Sequence, residues 1–253
     1  MTTTPPPPHK AIIIGISGCS SSGKTTLSRL LRSIFPNTHI LHQDDFFLPD
    51  SQIPIRNGYQ DWDCAESLDL VALRDALVYI TENGEMPPSL VSMEDQNEAG
   101  PSGVPDPTIA RLHSHVHSRL PTPTPPIFLL DGFLLYPPHL NPPLLPHLHT
   151  KIFLLTTLTT LLARRANRTG YVTLEGFWED PEGYVERVVW VNYVRDHGFL
   201  VGEGGEVRRE VAEGLGVRVQ KEGGWRMEEV LEWAVGEILE GLGAGKEGEV
   251  EGS

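Results

Sequence analysis

Residues 18–25 read Gly-Cys-Ser-Ser-Ser-Gly-Lys-Thr, matching the spacing G-x-x-x-x-G-K-[ST] at every fixed position. A chain that wraps a phosphate must turn successive backbone N–H groups toward the anion, through dihedral angles that a Cβ hinders, so glycines bracket the loop. Lys24 can reach the β- and γ-phosphates, and the Thr25 hydroxyl is a ligand for Mg²⁺. The candidate nucleotide cradle is therefore Gly18, Cys19, Ser20, Ser21, Ser22, Gly23, Lys24, Thr25 and Thr26. A plain Gly/Ser turn is the bland alternative, and it explains neither the lysine nor the flanking pattern. Cys19 stands at a variable position of the motif, where a small tolerated side chain is preferred to an oxidisable thiol.

Further residues suited to phosphoryl transfer lie downstream. Asp44, in Gln43-Asp44-Asp45-Phe46-Phe47, follows a short apolar run and can accept a hydroxyl proton or help hold Mg²⁺, its bland role being a helix cap. Asp131, after the apolar run 127–130, is a second carboxylate of the kind placed beside a nucleotide's metal. Arg164, Arg165 and Arg168 cluster just before Thr169-Gly170-Tyr171 and read as a lid, because a guanidinium clamps phosphate oxygens at all working pH values. The alternative is an exposed basic helix end. Trp62-Asp63 reads equally as a helix staple with an N-cap or as a ring and carboxylate for a base and a ribose diol. His113, His115 and His117 alternate as one face of a strand would, but a metal site there is the weaker reading, because the segment shows no sustained period.

These residues need a parallel sheet to bring them together. Residues 11–17, 38–42, 127–130, 151–156 and 217–219 are short strand candidates, and 25–35, 66–82, 158–166, 184–197 and 227–242 carry helical spacing. Strand, loop and helix in that order at 11–35 place the positive end of a helix at the phosphates. In an open parallel sheet, ligands bind at the C-terminal edge, where the loops carrying Gly18, Asp44 and Asp131 emerge. The expected organisation is a loose tail at 1–10, one α/β domain at 11–242 and a flexible acidic tail at 243–253. Within the domain, 87–126 reads as a Pro/Ser/Thr/His-rich insertion, partly disordered and remote from the site, and about 164–183 as the lid.

Composition narrows the function classes. A formal net charge of -14 over 253 residues argues against nucleic acid as partner. Two cysteines are too few for a disulfide framework or a thiolate zinc site. The start of the chain has neither the basic segment nor the apolar core of a secretory signal, and no apolar run approaches the ~20 residues of a membrane span. The expectation is a cytoplasmic protein, with the nucleus as a further compartment, acting as a monomer or weak homodimer.

Gly15-Ile16-Ser17-Gly18 through Thr26, Gln43-Asp44-Asp45-Phe46-Phe47, Trp62-Asp63, Asp131-Gly132-Phe133-Leu134-Leu135 and the 164–171 segment together resemble the nicotinamide riboside kinases. The resemblance implies a P-loop kinase fold, with a doubly wound parallel sheet, helices on both faces and an Arg-bearing lid. It also implies transfer of the γ-phosphoryl of ATP, with Mg²⁺, to the 5′-hydroxyl of nicotinamide riboside in NAD biosynthesis, and nicotinic acid riboside as a second substrate. By position, Asp44 is then the proton acceptor and, with Thr25, a metal neighbour, while Asp45, Phe46 and Phe47 continue the substrate loop. Trp62 would stack on the nicotinamide ring, Asp63 would hold the ribose hydroxyls, and Arg165 and Tyr171 would also contact substrate. Arg164 and Arg168 would contact ATP. Two positions depart from the family pattern, with Trp62 replacing tyrosine and Asp131 replacing glutamate. The rivals are a uridine or cytidine kinase and, from another class, a nucleotide-dependent switch or degenerate binding protein. The chain has no Asn-Lys-x-Asp segment to read guanine.

Overall fold

The computed structural model describes residues 10–93, 100–138, 144–167, 170–172, 176–202 and 205–243. In chain order the elements are β1 (Ile12–Gly18), α1 (Lys24–Ile34), β2 (Thr38–His42), β3 (Ile55–Arg56), β4 (Tyr59–Gln60), α2 (Leu70–Asn83), α3 (Asp106–Arg119), β5 (Ile127–Gly132) and β6 (Thr150–Leu154). There follow α4 (Leu158–Ala166), β7 (Tyr171–Val172), β8 (Phe177–Trp178), α5 (Trp190–His197), α6 (Arg209–Leu215), β9 (Val217–Val219) and α7 (Met227–Gly241). A π-helical turn, Val185–Val189, leads into α5.

Five strands form one sheet in the order β2-β5-β1-β6-β9, and every pairing is parallel. Both faces of such a sheet need cover, so its strands are apolar on both sides. Ile14, Ile16, Leu129, Ile152 and Leu154 pack toward α1, α3 and α7, whereas Ile13, Phe128, Leu130 and Phe153 join the second core with α2, α4 and the 184–200 segment. This period-2 division is the pleat read as burial. Among the described residues, no helix is long and apolar enough to cross a membrane.

Two glycines shape the edge that carries the chemistry. At Gly18, φ is 146° and a Cβ would stand 2.6 Å from the Leu154 carbonyl oxygen, so a side chain would collide with the next strand. At Gly132 a Cβ would meet the Gln43 side chain, whose Oε1 accepts from Leu134 N at 2.9 Å and whose Nε2 donates to Leu134 O at 3.3 Å. That close fit ties the exits of β2 and β5 together and brings the two aspartate-bearing turns side by side.

One sequence expectation, and two of the alternatives weighed beside others, need revision. Residues 106–119 form a helix, held by the stripe Ile109, Leu112 and Val116, which is too narrow to stand out from the surrounding Pro, Ser and His. On that helix His113 and His117 stack with ring centroids 4.0 Å apart. A two-residue step on a helix turns His115 toward another side, and among the described residues no group of three His, Cys, Asp or Glu is placed to hold a metal. Finally, α2 begins at Leu70, capped by Asp69, which accepts from Ala72 N at 2.9 Å, so Asp63 is not the cap. Of the expected tails at 1–10 and 243–253, residues 1–9 and 244–253 lie outside the described residues.

Candidate active site

The nucleotide loop follows directly from β1 and ends on α1, with Gly23 at φ 106° as the helix N-cap. Ser21 adopts the left-handed region at φ 59°, and Ser22 N donates to Cys19 O at 3.0 Å, which curls the loop into a cup. Lys24 is buried, and its ammonium donates to Cys19 O at 3.0 Å, inside the same curve. The Cys19 thiol is pushed up to about 12 by burial, with the charge of Asp63 adding to it, so it is an inert packing group. A cavity of about 290 Å³ lies above the helix start, lined by Ser21, Gly23, Lys24, Thr25, Thr26, Pro101, Ser102, Arg164 and Met227.

The carboxylates stand at the adjoining strand ends. Asp131 pairs in register with Ile16 of β1 and His42 of β2, and His42 Nδ1 lies 3.3 Å from its Oδ2. Burial alone would raise its pKa, but contacts with His42, the charge of Lys24 and the Thr25 hydroxyl outweigh burial and hold the carboxyl below its ordinary range. An ionised carboxylate beside a hydroxyl is a set of hard oxygen donors, the chemistry Mg²⁺ takes when nucleotide phosphates supply its other ligands. Asp44 lies two residues beyond His42, in the 3-10 turn Gln43–Phe46, and is half-buried. Its neighbours have structural partners: Asp45 Oδ1 accepts from Met93 N at 2.7 Å, and Phe46 is buried in the core beside α2. Phe46 is therefore a packing residue, a correction to its placement on a substrate-facing loop.

Across from the loop, side chains from distant parts of the chain converge. Arg164 Nη1 donates to Ser21 O at 3.1 Å and to Ser22 O at 2.5 Å. Arg165 is buried and bridges two groups: Nη1 donates to Ser20 Oγ at 2.9 Å, while Nε and Nη2 grip both oxygens of Asp180 at 2.7 and 3.0 Å. The same guanidinium stands 3.9 Å from Asp63 Oδ2. Tyr184 donates to Asp63 Oδ2 at 3.0 Å and accepts from Trp62 N at 3.1 Å. Burial raises the Asp63 pKa, with Arg165 and the Tyr184 bond offsetting only part of that rise. Trp62 itself is buried, with Phe47 edge-on at 5.3 Å and Trp178 at 5.8 Å between ring centroids. Arg168 and the Tyr171 side chain lie outside the described residues.

Several members of this cluster carry no motif in the sequence. Asp61, buried to 1% exposure, accepts from Arg56 at 3.1 Å, from Asn192 at 2.8 Å and from Asp63 N at 3.2 Å, and so orients the Trp62-Asp63 turn. Tyr184, Asp180, Asn192 and Trp178 were likewise outside the candidate set. The acidic residue next to Pro181 in the expected lid was the available signal for Asp180.

No family model matches the chain. Among known proteins, it is similar to the nicotinamide riboside kinase of Schizosaccharomyces pombe, with 38% identity over 236 residues covering 92% of this chain and 99% of the relative. It is 29% identical to the Saccharomyces cerevisiae nicotinamide riboside kinase, over 77% of this chain and 81% of that protein. Mouse nicotinamide riboside kinase 2 is 32% identical over 78% of this chain and 85% of its own. With a parallel sheet in P-loop order and a nucleotide loop at its switch point, the chain belongs to the nicotinamide riboside kinase family.

Proposed function

We propose that the chain transfers the γ-phosphoryl of ATP, carried with Mg²⁺, to the 5′-hydroxyl of nicotinamide riboside, yielding the mononucleotide for NAD biosynthesis. Nicotinic acid riboside is a second acceptor in this reading. The observation that carries it is Arg165, which touches the nucleotide loop through Ser20 and the acceptor-side carboxylates Asp63 and Asp180. One side chain thereby sets the distance between donor and acceptor.

Phosphoryl transfer asks a protein chiefly for alignment and for charges placed where they develop. The backbone N–H groups of the loop and Lys24 hold the phosphates, and Thr25 and Asp131 are the groups to hold Mg²⁺, with Asp44 alongside. Bound there, the metal neutralises phosphate charge. Asp44 orients the 5′-hydroxyl and accepts its proton as the oxygen attacks phosphorus. Asp63 accepts from the ribose hydroxyls, kept in place by Tyr184 and Asp61. Arg164 and Arg165 neutralise the transferring group, and with Arg168 and Tyr171 they form the arginine-bearing lid. The pyridinium ring lies against the Phe47, Trp62 and Trp178 cluster, where aromatic faces and the acidic surround favour a cation.

The test is acceptor-dependent ADP formation from MgATP with nicotinamide riboside, nicotinic acid riboside, uridine and cytidine in parallel, with product mass as the check. Turnover with the two pyridine ribosides, and little with the pyrimidines, is the expected result. Preference for uridine or cytidine would replace the acceptor, and hydrolysis unaffected by any nucleoside would replace the kinase by a switch.

A further inference from the structure

The chain returning from α2 to α3 reaches the nucleotide loop, and we propose that Pro101 and Ser102 form the outer wall of the nucleotide cavity, with the Ser102 hydroxyl donating to a sugar or phosphate oxygen of the bound nucleoside triphosphate. The inference rests on the kinase reading and adds a recognition element to its donor side. The same cavity is lined by the loop and the first turn of α1, including Lys24 and Thr26, and by Arg164 and Met227.

Two independent features hold this wall in place. Val104 is buried in the core shared with α1 and α7, and its N–H donates to Ser102 Oγ at 3.2 Å. A hydroxyl whose oxygen already accepts keeps its one proton to give, and phosphate oxygens are pure acceptors. Beyond the wall, Thr108 in the first turn of α3 donates to Glu228 Oε1 at 2.6 Å, and Arg111 pairs with Glu232. Glu228 directly follows Met227, so two of the segments that line the cavity are linked through the contact of α3 with α7. A segment whose composition reads as a remote insertion is thus part of donor recognition.

The experiment is equilibrium titration of the full chain with the Mg²⁺ complex of a β,γ-imido analogue of ATP, paired with initial rates over a range of MgATP and nicotinamide riboside. Ser102→Ala is expected to weaken nucleotide binding about tenfold, as for one hydrogen bond to a charged group, with the riboside KM within about twofold of wild type. Thr108→Val is expected to weaken the nucleotide several-fold, with Thr108→Ser restoring it. Ser114→Ala, on the exposed side of α3, is expected to change neither constant. Unchanged nucleotide affinity in both Ser102→Ala and the Pro101→Gly/Ser102→Ala double variant, with wild type binding normally, would overturn the wall and leave the kinase reading standing. Equal changes in both KM values would also overturn it. A wild-type chain that fails to bind the analogue would overturn the kinase reading, and the wall with it.

Discussion

In the proposed reading, the donor and acceptor sides of the site are built in opposite ways. On the donor side, one continuous stretch of β1, loop and α1 forms the base, its shape following from a few fixed dihedral angles, and among the described residues only Arg164, Met227 and residues 101–102 join it from elsewhere in the chain to line the cavity. On the acceptor side, the groups are side chains: Asp63 meets Tyr184 across 121 residues of sequence, and Asp61 meets Asn192 across 131. The first is a local structure that needs only the right residue types. The second exists only once the 184–197 segment has packed, so it is as sensitive to tertiary packing as the core is. Arg165 of α4 contacts both, through Ser20 and Asp63.

Substitutions can separate the two. The largest loss is expected at their meeting point. Asp44→Ala should lower kcat on the order of a hundredfold or more, as for removal of a general base, while nucleotide affinity stays near wild type. Near-normal turnover would remove the assigned role. Next, Arg165→Lys keeps the charge but cannot hold Ser20, Asp180 and Asp63 together. It should cost on the order of a hundredfold in kcat/KM for the riboside, because a planar, bidentate grip is not transferable to an ammonium. An effect confined to the nucleotide would place Arg165 wholly on the donor side. Trp62→Ala should raise the riboside KM about tenfold, the scale of a lost aromatic contact, with little effect on the KM for ATP. Equal effects would take Trp62 out of the acceptor pocket.

A smaller effect, on stability, belongs to neither side. His197 is buried beneath both, with Nδ1 3.2 Å from the Tyr193 carbonyl, and burial lowers its pKa to about 4 from 6.5. The unfolded chain takes up this proton first, so stability that is full above pH 6.5 is lost as pH falls toward 4, by at most about 3 kcal/mol. His197→Gln should remove that part of the pH dependence in denaturant titrations while leaving neutral-pH turnover intact. An unaltered slope would show that the imidazole is not held neutral.

The same contrast explains what could be read in advance. The sheet strands and the α4 bounds, Leu158–Ala166, were legible because apolar periodicity and turn residues are local signals. So was the nucleotide loop, whose motif is its own geometry. α3 was hidden because its buried stripe is Leu112 and Val116 with Ile109 packed alongside, in a segment dominated by polar residues and proline. Trp62-Asp63 could be found but not interpreted, since Tyr184, Asp61 and Asn192, which give the turn its orientation, lie on other elements. Phe46 misled because two adjacent phenylalanines look alike in sequence, yet one faces the core and the other the aromatic cluster.

The most direct test is the pair of Michaelis constants of Asp63→Asn, from initial rates over a grid of MgATP and nicotinamide riboside concentrations. Asparagine preserves the volume and removes the charge that Tyr184 and Arg165 surround. If the two sides are separate constructions joined through Arg165, the riboside KM rises on the order of a hundredfold, as for a truncated charged hydrogen bond, and the KM for ATP stays within about twofold. A parallel rise in both constants would contradict that division.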